Sequence, residues 1–358
     1  MPTFRNDIDS IGVYIPGKPI EDVMREYGLT DIVKLASNEC PEEPFAPVQE
    51  AITAAATESH RYPDTMAHTL STALAEHHSI DRDNILVGPG SSPILMATAQ
   101  AVGGEGTSAV FAENSFLLYS IITRMGRAEA IQVPLDSEIR HDADALIAAV
   151  RDDTTVLYVC NPNNPTGTYI APEDIDRIIA KVPGRVLVVL DEAYEEYVTA
   201  PGHRSALPNA LTYDNVVVMR TFSKIYGIAG LRVGYAVGQP DTIMQLRRFQ
   251  APFAIANVSL AGALEALRHQ DLVADRAKAN ARGRDQLAAG LDELGVAHVP
   301  SETNFILILI RPETSAVELT ESMLQRGVIV RPFGDYIRVT VGTEAENVRF
   351  LETIGDLI

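Results

Sequence analysis

Between residues 85 and 250 the chain alternates short apolar runs with stretches in which apolar residues recur every three or four positions. The runs are ILVG (85–88), TSAVFA (107–112), AEAIQVP (128–134), TTVLYVC (154–160), RVLVVLD (185–191), NVVVMRTF (215–222) and LRVGYAVG (231–238). Their Val, Ile, Phe and Tyr content predicts strands. The segments DADALIAAV and APEDIDRIIAKV, lying between runs, have the spacing of amphipathic helices. Regular strand–helix alternation predicts an α/β fold, a mostly parallel sheet with helices on both faces.

The pattern changes after residue 256. Residues 256–294 are rich in Ala, Leu and Arg and free of proline, which predicts a long helix leading to another unit. TNFILILI, SAVELTESMLQR, GVIVRP and YIRVTVG then read as strand, helix, strand and strand before a last helix, a small α+β domain. The first 45 residues, rich in Pro and Gly, have no room for a core of their own and are expected to pack with it. The expected division is 45–284 for a large domain, with 1–44 joining 285–358 in the small one.

A chain of 358 residues can hold two such cores. Its net charge of −19 argues against a nucleic-acid partner, which calls for a basic face. No run of about 18 apolar residues predicts a membrane span, and the N-terminus MPTFRNDIDSIG has no secretory pattern, so a cytoplasmic location is expected. Cys40 and Cys160 form neither a disulfide framework nor a metal-ligand set, and no metal is expected.

Three apolar runs end in polar signatures. TTVLYVC leads into NPNNPTG with Asn164, RVLVVLD ends at Asp191 with Tyr194 close behind, and NVVVMRTF is followed by Ser223 and Lys224. Ligands of open α/β sheets bind beyond the carboxyl ends of the strands, so these residues converge on one edge. The lysine stands out because the chain has only five, against twenty-four arginines. An amine can deprotonate near neutral pH and attack a carbonyl; a guanidinium cannot. An amine, a carboxylate, an amide and a phenol together fit pyridoxal 5'-phosphate. Lys224 would bond to its aldehyde, Asp191 would keep its ring nitrogen protonated, and Asn164 and Tyr194 would serve its 3-oxygen. The strand–turn–helix LVGPGSSPILMATAQAV offers backbone N–H groups for the phosphate, with Ser223 and Arg232 completing the cup.

NPNNPTG, DEAYEEY and TFSKIYGIAGLRVGY, in this order and spacing, resemble the histidinol-phosphate aminotransferase family. This is a branch of the fold-type-I pyridoxal-phosphate transferases with close aromatic amino acid aminotransferase relatives. The resemblance extends from YIPGKPIEDVMREYGLTDIVKLASNE through RYPD to VRPFGDYIRVTVGT. It implies that Lys224 also carries the proton to and from the substrate's α-carbon, and that Ser91 and Ser92 bind phosphate through their backbone. It implies that Phe116 stacks on the cofactor ring, with Tyr119 as the other aromatic choice. Tyr62 would reach the phosphate of a partner subunit, making a homodimer with shared sites. Arg338 would bind the substrate's anionic end, and Tyr14 and Asn304 would line the substrate pocket. The chain departs from the family at Ser92-Pro93, Cys40 and Asn114-Ser115, where an acidic pair, Asn and Pro-Thr are common. These departures are shared with the aromatic relatives, so the amino donor stays open between histidinol phosphate and an aromatic amino acid. The expected acceptor is 2-oxoglutarate, and a pyridoxal-phosphate decarboxylase is the remoter alternative.

Overall fold

The computed structural model describes residues 2–13 and 17–358; Tyr14 lies outside them. Among the described residues the strands, in chain order, begin with β1 (Val33–Lys34), β2 (Ile85–Gly88), β3 (Ser108–Ala112), β4 (Glu129–Val133), β5 (Thr154–Cys160), β6 (Leu187–Asp191), β7 (Val216–Thr221) and β8 (Gly234–Gly238). Then follow β9 (His298–Val299), β10 (Phe305–Leu309), β11 (Val328–Ile329), β12 (Arg331–Phe333) and β13 (Tyr336–Thr340).

Seven of these form one sheet in the order β2-β8-β7-β6-β5-β3-β4. β8 runs antiparallel to both its neighbours, and every other pairing is parallel. The central strands are continuously apolar because both faces are covered. Along β6, Val188 and Leu190 join the core on one face while Leu187 and Val189 join the core on the other. β7 repeats the division, with Val216 and Val218 opposite Val217 and Met219. That alternation, with period two, fixes which way each strand's last residue points.

A second, antiparallel sheet has the order β12-β13-β10-β9, and β1 pairs in parallel with β11. Val33 and Leu35 of the N-terminal segment share a core with Ile306, Val339 and Phe350. Leu287 and Leu291 of the helix Gln270–Glu293 reach the same core, so the expected boundary at 284/285 falls within a continuous helix. The single long helix expected over 256–294 is instead two, Asn257–Arg268 and Gln270–Glu293. At His269 the backbone leaves helical geometry (φ −105°, ψ 58°), and the Gln270 amide takes the freed carbonyl of Leu267 at 2.7 Å.

Candidate active site

Register across the large sheet aligns the site. Cys160 and Asp191 end β5 and β6 as register partners, and Asp191 pairs with Met219, two residues before the end of β7. The turns that follow carry Asn164, Tyr194, Ser223 and Lys224 out of the same sheet edge. A cavity of about 580 Å³ opens there, and these four residues line it together with Asp191. Ser91, Ser92, Phe116, Arg232 and Arg338 complete the set of expected residues in its wall.

Lys224 is half-buried on that wall, its Nζ 3.1 Å from the carbonyl oxygen of Asn38. Burial, and then the guanidinium of Arg338, bring its pKa down to about 8; Arg232 adds to the fall, while Glu39 and Asp191 oppose it. Asp191 is buried, and burial pushes its carboxyl up to about 6. One of its oxygens accepts from the Tyr119 hydroxyl at 2.9 Å, the other from the Ala193 N–H at 3.2 Å. A proton-bearing or cationic partner in the cavity would favour the charged carboxylate.

At the other end of the cavity stands the helix Ser91–Val102, whose N-terminus has no side-chain cap. Its first N–H groups are open to an anion, apart from Pro93, which has none. Two glycines make this approach possible. A Cβ on Gly90, at φ +94°, would lie 2.6 Å from Arg232 Nη2, and one on Gly234 would lie 2.5 Å from the Ser91 nitrogen. Arg232 also donates to Ser223 Oγ at 3.2 Å, which brings guanidinium, hydroxyl and helix start into one cup.

Three expected residues lie elsewhere. Tyr119 is fully buried behind the wall, stacked on Tyr158 with ring centroids 4.9 Å apart. Of the two aromatic choices only Phe116 faces the cavity, and Tyr119 reaches it only through Asp191. Asn304 does not line this cavity either; its Nδ2 donates to the Asn38 carbonyl at 3.1 Å, and it borders a second cavity of about 500 Å³. Tyr62 is 82% exposed on the surface, stacked on the half-exposed Phe253 at 4.6 Å.

Among the wall residues that sequence reasoning missed are Arg331 and Asn38. Arg331 sits directly across from Arg338 in the β12–β13 pairing, so two guanidinium groups face one cavity. Both residues lie in stretches that carry the family resemblance, VRPF and LASNE, but only the strand register and the chain crossing bring them to the site. A buried ion cluster was also invisible. Arg220 bonds Glu192 at 2.9 Å, Glu195 at 2.6 Å and Glu196 at 3.3 Å, pinning the turn that carries Asp191 and Tyr194.

A doubly covered α/β sheet with a lysine, a carboxylate and an anion cup at its carboxyl edge, joined to a small α+β unit, is the fold-type-I transferase architecture. Residues 30–354 match the aminotransferase class I and II family, and the chain belongs to it. The chain is 39% identical to a histidinol-phosphate aminotransferase of Moorella thermoacetica, over 100% of this chain and 94% of that protein. It is 39% identical to histidinol-phosphate aminotransferase 2 of Pseudomonas fluorescens, over 98% and 96%. Among solved structures, histidinol-phosphate aminotransferase from Sinorhizobium meliloti in complex with pyridoxal-5'-phosphate superposes with a TM-score of 0.90 at 26% identity, covering 100% of this chain and 99% of that one.

Proposed function

We propose that this pyridoxal-phosphate-dependent transaminase takes its amino group from histidinol phosphate and passes it to 2-oxoglutarate. The observation that carries the donor is the cross-strand pair Arg331–Arg338 in the same cavity as Lys224. Arg338 alone suits a carboxylate or a phosphate equally. Two guanidiniums on adjacent strands favour a group with more than one negative charge, as a phosphate monoester carries near neutral pH. The names of the relatives point the same way and do not favour the aromatic amino acid reading.

The residues present fit the cofactor: Gly90 and Gly234 lack the Cβ that would collide with Arg232 and the Ser91 nitrogen, so a guanidinium and a hydroxyl sit against an uncapped helix start, the donor set a phosphate requires. Ser91, Ser92, Ser223 and Arg232 would hold the phosphate, Phe116 the ring face, Asp191 the ring nitrogen, and Asn164 and Tyr194 the 3-oxygen. When bound, the cofactor supplies an electron sink for the charge left when the α-proton departs. Lys224 would anchor it and, as an amine whose pKa burial and the neighbouring guanidiniums lower, is suited to take that proton and return it. Tyr119 and Ala193 keep Asp191 oriented. Arg338, gripped by Asn164 Oδ1 at 2.6 Å and the Ala36 carbonyl at 2.8 Å, presents a rigid cation to the substrate.

Parallel kinetics with histidinol phosphate, phenylalanine and tyrosine test the donor, with 2-oxoglutarate and a second oxo acid as acceptors. The expected result is the highest kcat/KM for histidinol phosphate and an oxo product; a clear preference for phenylalanine, or release of carbon dioxide, would overturn the assignment. The same reading makes the chain a homodimer in which the exposed Tyr62–Phe253 face meets the partner. It also places the protein in the cytoplasm, which fractionation checks; among the described residues no helix is long and apolar enough to cross a membrane.

A further inference from the structure

Asn38 touches more of the site than any assigned residue. It is buried and lies in the left-handed region at φ +54°, a conformation that Asn and Asp tolerate better than other side chains bearing a Cβ. Its carbonyl oxygen accepts from Lys224 Nζ at 3.1 Å and from Asn304 Nδ2 at 3.1 Å, which fills both lone pairs. Its Nδ2 donates to the Tyr194 hydroxyl at 2.9 Å. Its N–H donates to Thr340 Oγ1 at 3.0 Å, and Thr340 returns its hydroxyl proton to Asn38 Oδ1 at 3.3 Å. That pair fixes the orientation of the amide, nitrogen toward the phenol.

The Tyr194 oxygen receives a second amide. Asn164 Nδ2 approaches it at 3.2 Å, and Asn164 cannot turn over because its oxygen is held by Arg338. A phenol oxygen flanked by two N–H donors has no remaining acceptor to offer, and neither amide nitrogen can accept. Its own proton must therefore point away from both amides, and Tyr194 borders the cavity. Thr340 and Arg338 lie two residues apart on β13, on the same face of the strand. The strand that grips substrate is thereby tied through Asn38 to the phenol and the amine.

We propose that Asn38 is a positioning residue for the reaction: its amide, acting with Asn164, turns the Tyr194 proton into the cavity, and its carbonyl holds the Lys224 amine. The role rests on the reading of the site as a pyridoxal-phosphate centre, in which that proton would be donated to the cofactor's 3-oxygen. A hydrogen bond to an anionic oxygen favours the anion, so weakening it moves the cofactor's titration upward in pH.

The test uses the loaded protein and follows its visible absorbance against pH in wild type, Asn38→Gly, Tyr194→Phe and the double variant. Glycine keeps the left-handed backbone and removes only the amide. The titration midpoint is expected to rise by about one pH unit in Asn38→Gly, and by no further increment when Tyr194→Phe is already present. An equal increment in both backgrounds, or none in either, overturns the proposal. Asn38→Asp, isosteric and tolerant of the same φ, is the second variant should glycine not fold. Its carboxylate accepts the phenol proton, so a shift at least as large as that of Asn38→Gly is expected, and an unchanged midpoint counts against the role. A cofactor-free arm measures melting temperatures for the same cycle. The double variant is expected to lose less than the sum of the singles, and strict additivity overturns the Asn38–Tyr194 link. A wild type that never develops a visible band with added pyridoxal phosphate sinks the functional reading instead, and the melting cycle still judges Asn38.

Discussion

Arg338 donates to Asn164 Oδ1 at 2.6 Å, and this contact joins the antiparallel sheet of the C-terminal unit to the turn that follows β5 of the large sheet. The substrate-facing cation and the amide beside Tyr194 are therefore held by one another. Arg338→Ala is expected to lower kcat/KM for donor and acceptor alike by roughly ten- to hundredfold, since a charge-assisted hydrogen bond contributes about 1.5–3 kcal/mol. Arg331→Ala is expected to hurt histidinol phosphate more than 2-oxoglutarate. Equal losses for the two substrates in the Arg331 variant would refute the phosphate role.

Lys224 should be the one lysine that retains cofactor after borohydride reduction, as peptide mass mapping would reveal; label on Lys181 or Lys278 would sink the assignment. Lys224→Arg keeps the charge and is expected to abolish turnover, because a guanidinium cannot act as the amine. The depressed amine pKa also has a stability consequence. Between about 8 and the ordinary lysine value of 10.5 the unfolded chain binds more protons than the folded one, so cofactor-free protein gains stability as pH rises through that window. Lys224→Met should flatten this rise, measured as melting temperature against pH.

Asp191→Asn is expected to retain cofactor, judged by absorbance, while turnover falls by orders of magnitude. Each tenfold corresponds to about 1.4 kcal/mol of lost transition-state stabilisation. Tyr119→Phe removes one of the two hydrogen bonds that orient the carboxylate and should cause a smaller loss of the same kind. Near-normal turnover in Asp191→Asn would end the electron-sink reading.

If Tyr62 reaches into a partner's site, mixing Lys224→Ala subunits with Tyr62→Ala subunits should restore activity. Each hybrid dimer then has one site carrying both lesions and one carrying neither. No recovery, with subunit exchange verified, would count against shared sites.

Arg220 is 5% exposed among three carboxylates. Arg220→Ala would leave Glu192 buried, and Glu195 and Glu196 half-buried, without their guanidinium partner, and the expected loss is about 3–5 kcal/mol by urea unfolding. A loss below about 1 kcal/mol would mean that the cluster does not pin the turn carrying Asp191 and Tyr194.

Sequence alone determined the alternating strands and helices, because apolar runs without polar alternation can be satisfied only by a doubly covered sheet. It also determined that an amine, a carboxylate, an amide and a phenol meet at one edge, since each follows directly on a strand end and parallel strands place such ends side by side. Tertiary structure decided what depended on contacts between distant segments. Phe116 and Tyr119 are three residues apart in similar surroundings, and only packing turned one to the cavity and the other to Asp191. The break at His269 is local by contrast: there Gln270 caps the Leu267 carbonyl, a side-chain bond that helical periodicity does not record. Arg331 met Arg338 through strand register, and Asn38 met Tyr194, 156 positions further along the chain. Local pattern encodes which face of an element is apolar; it holds no information about which polar side chains two remote elements bring within three ångströms of each other.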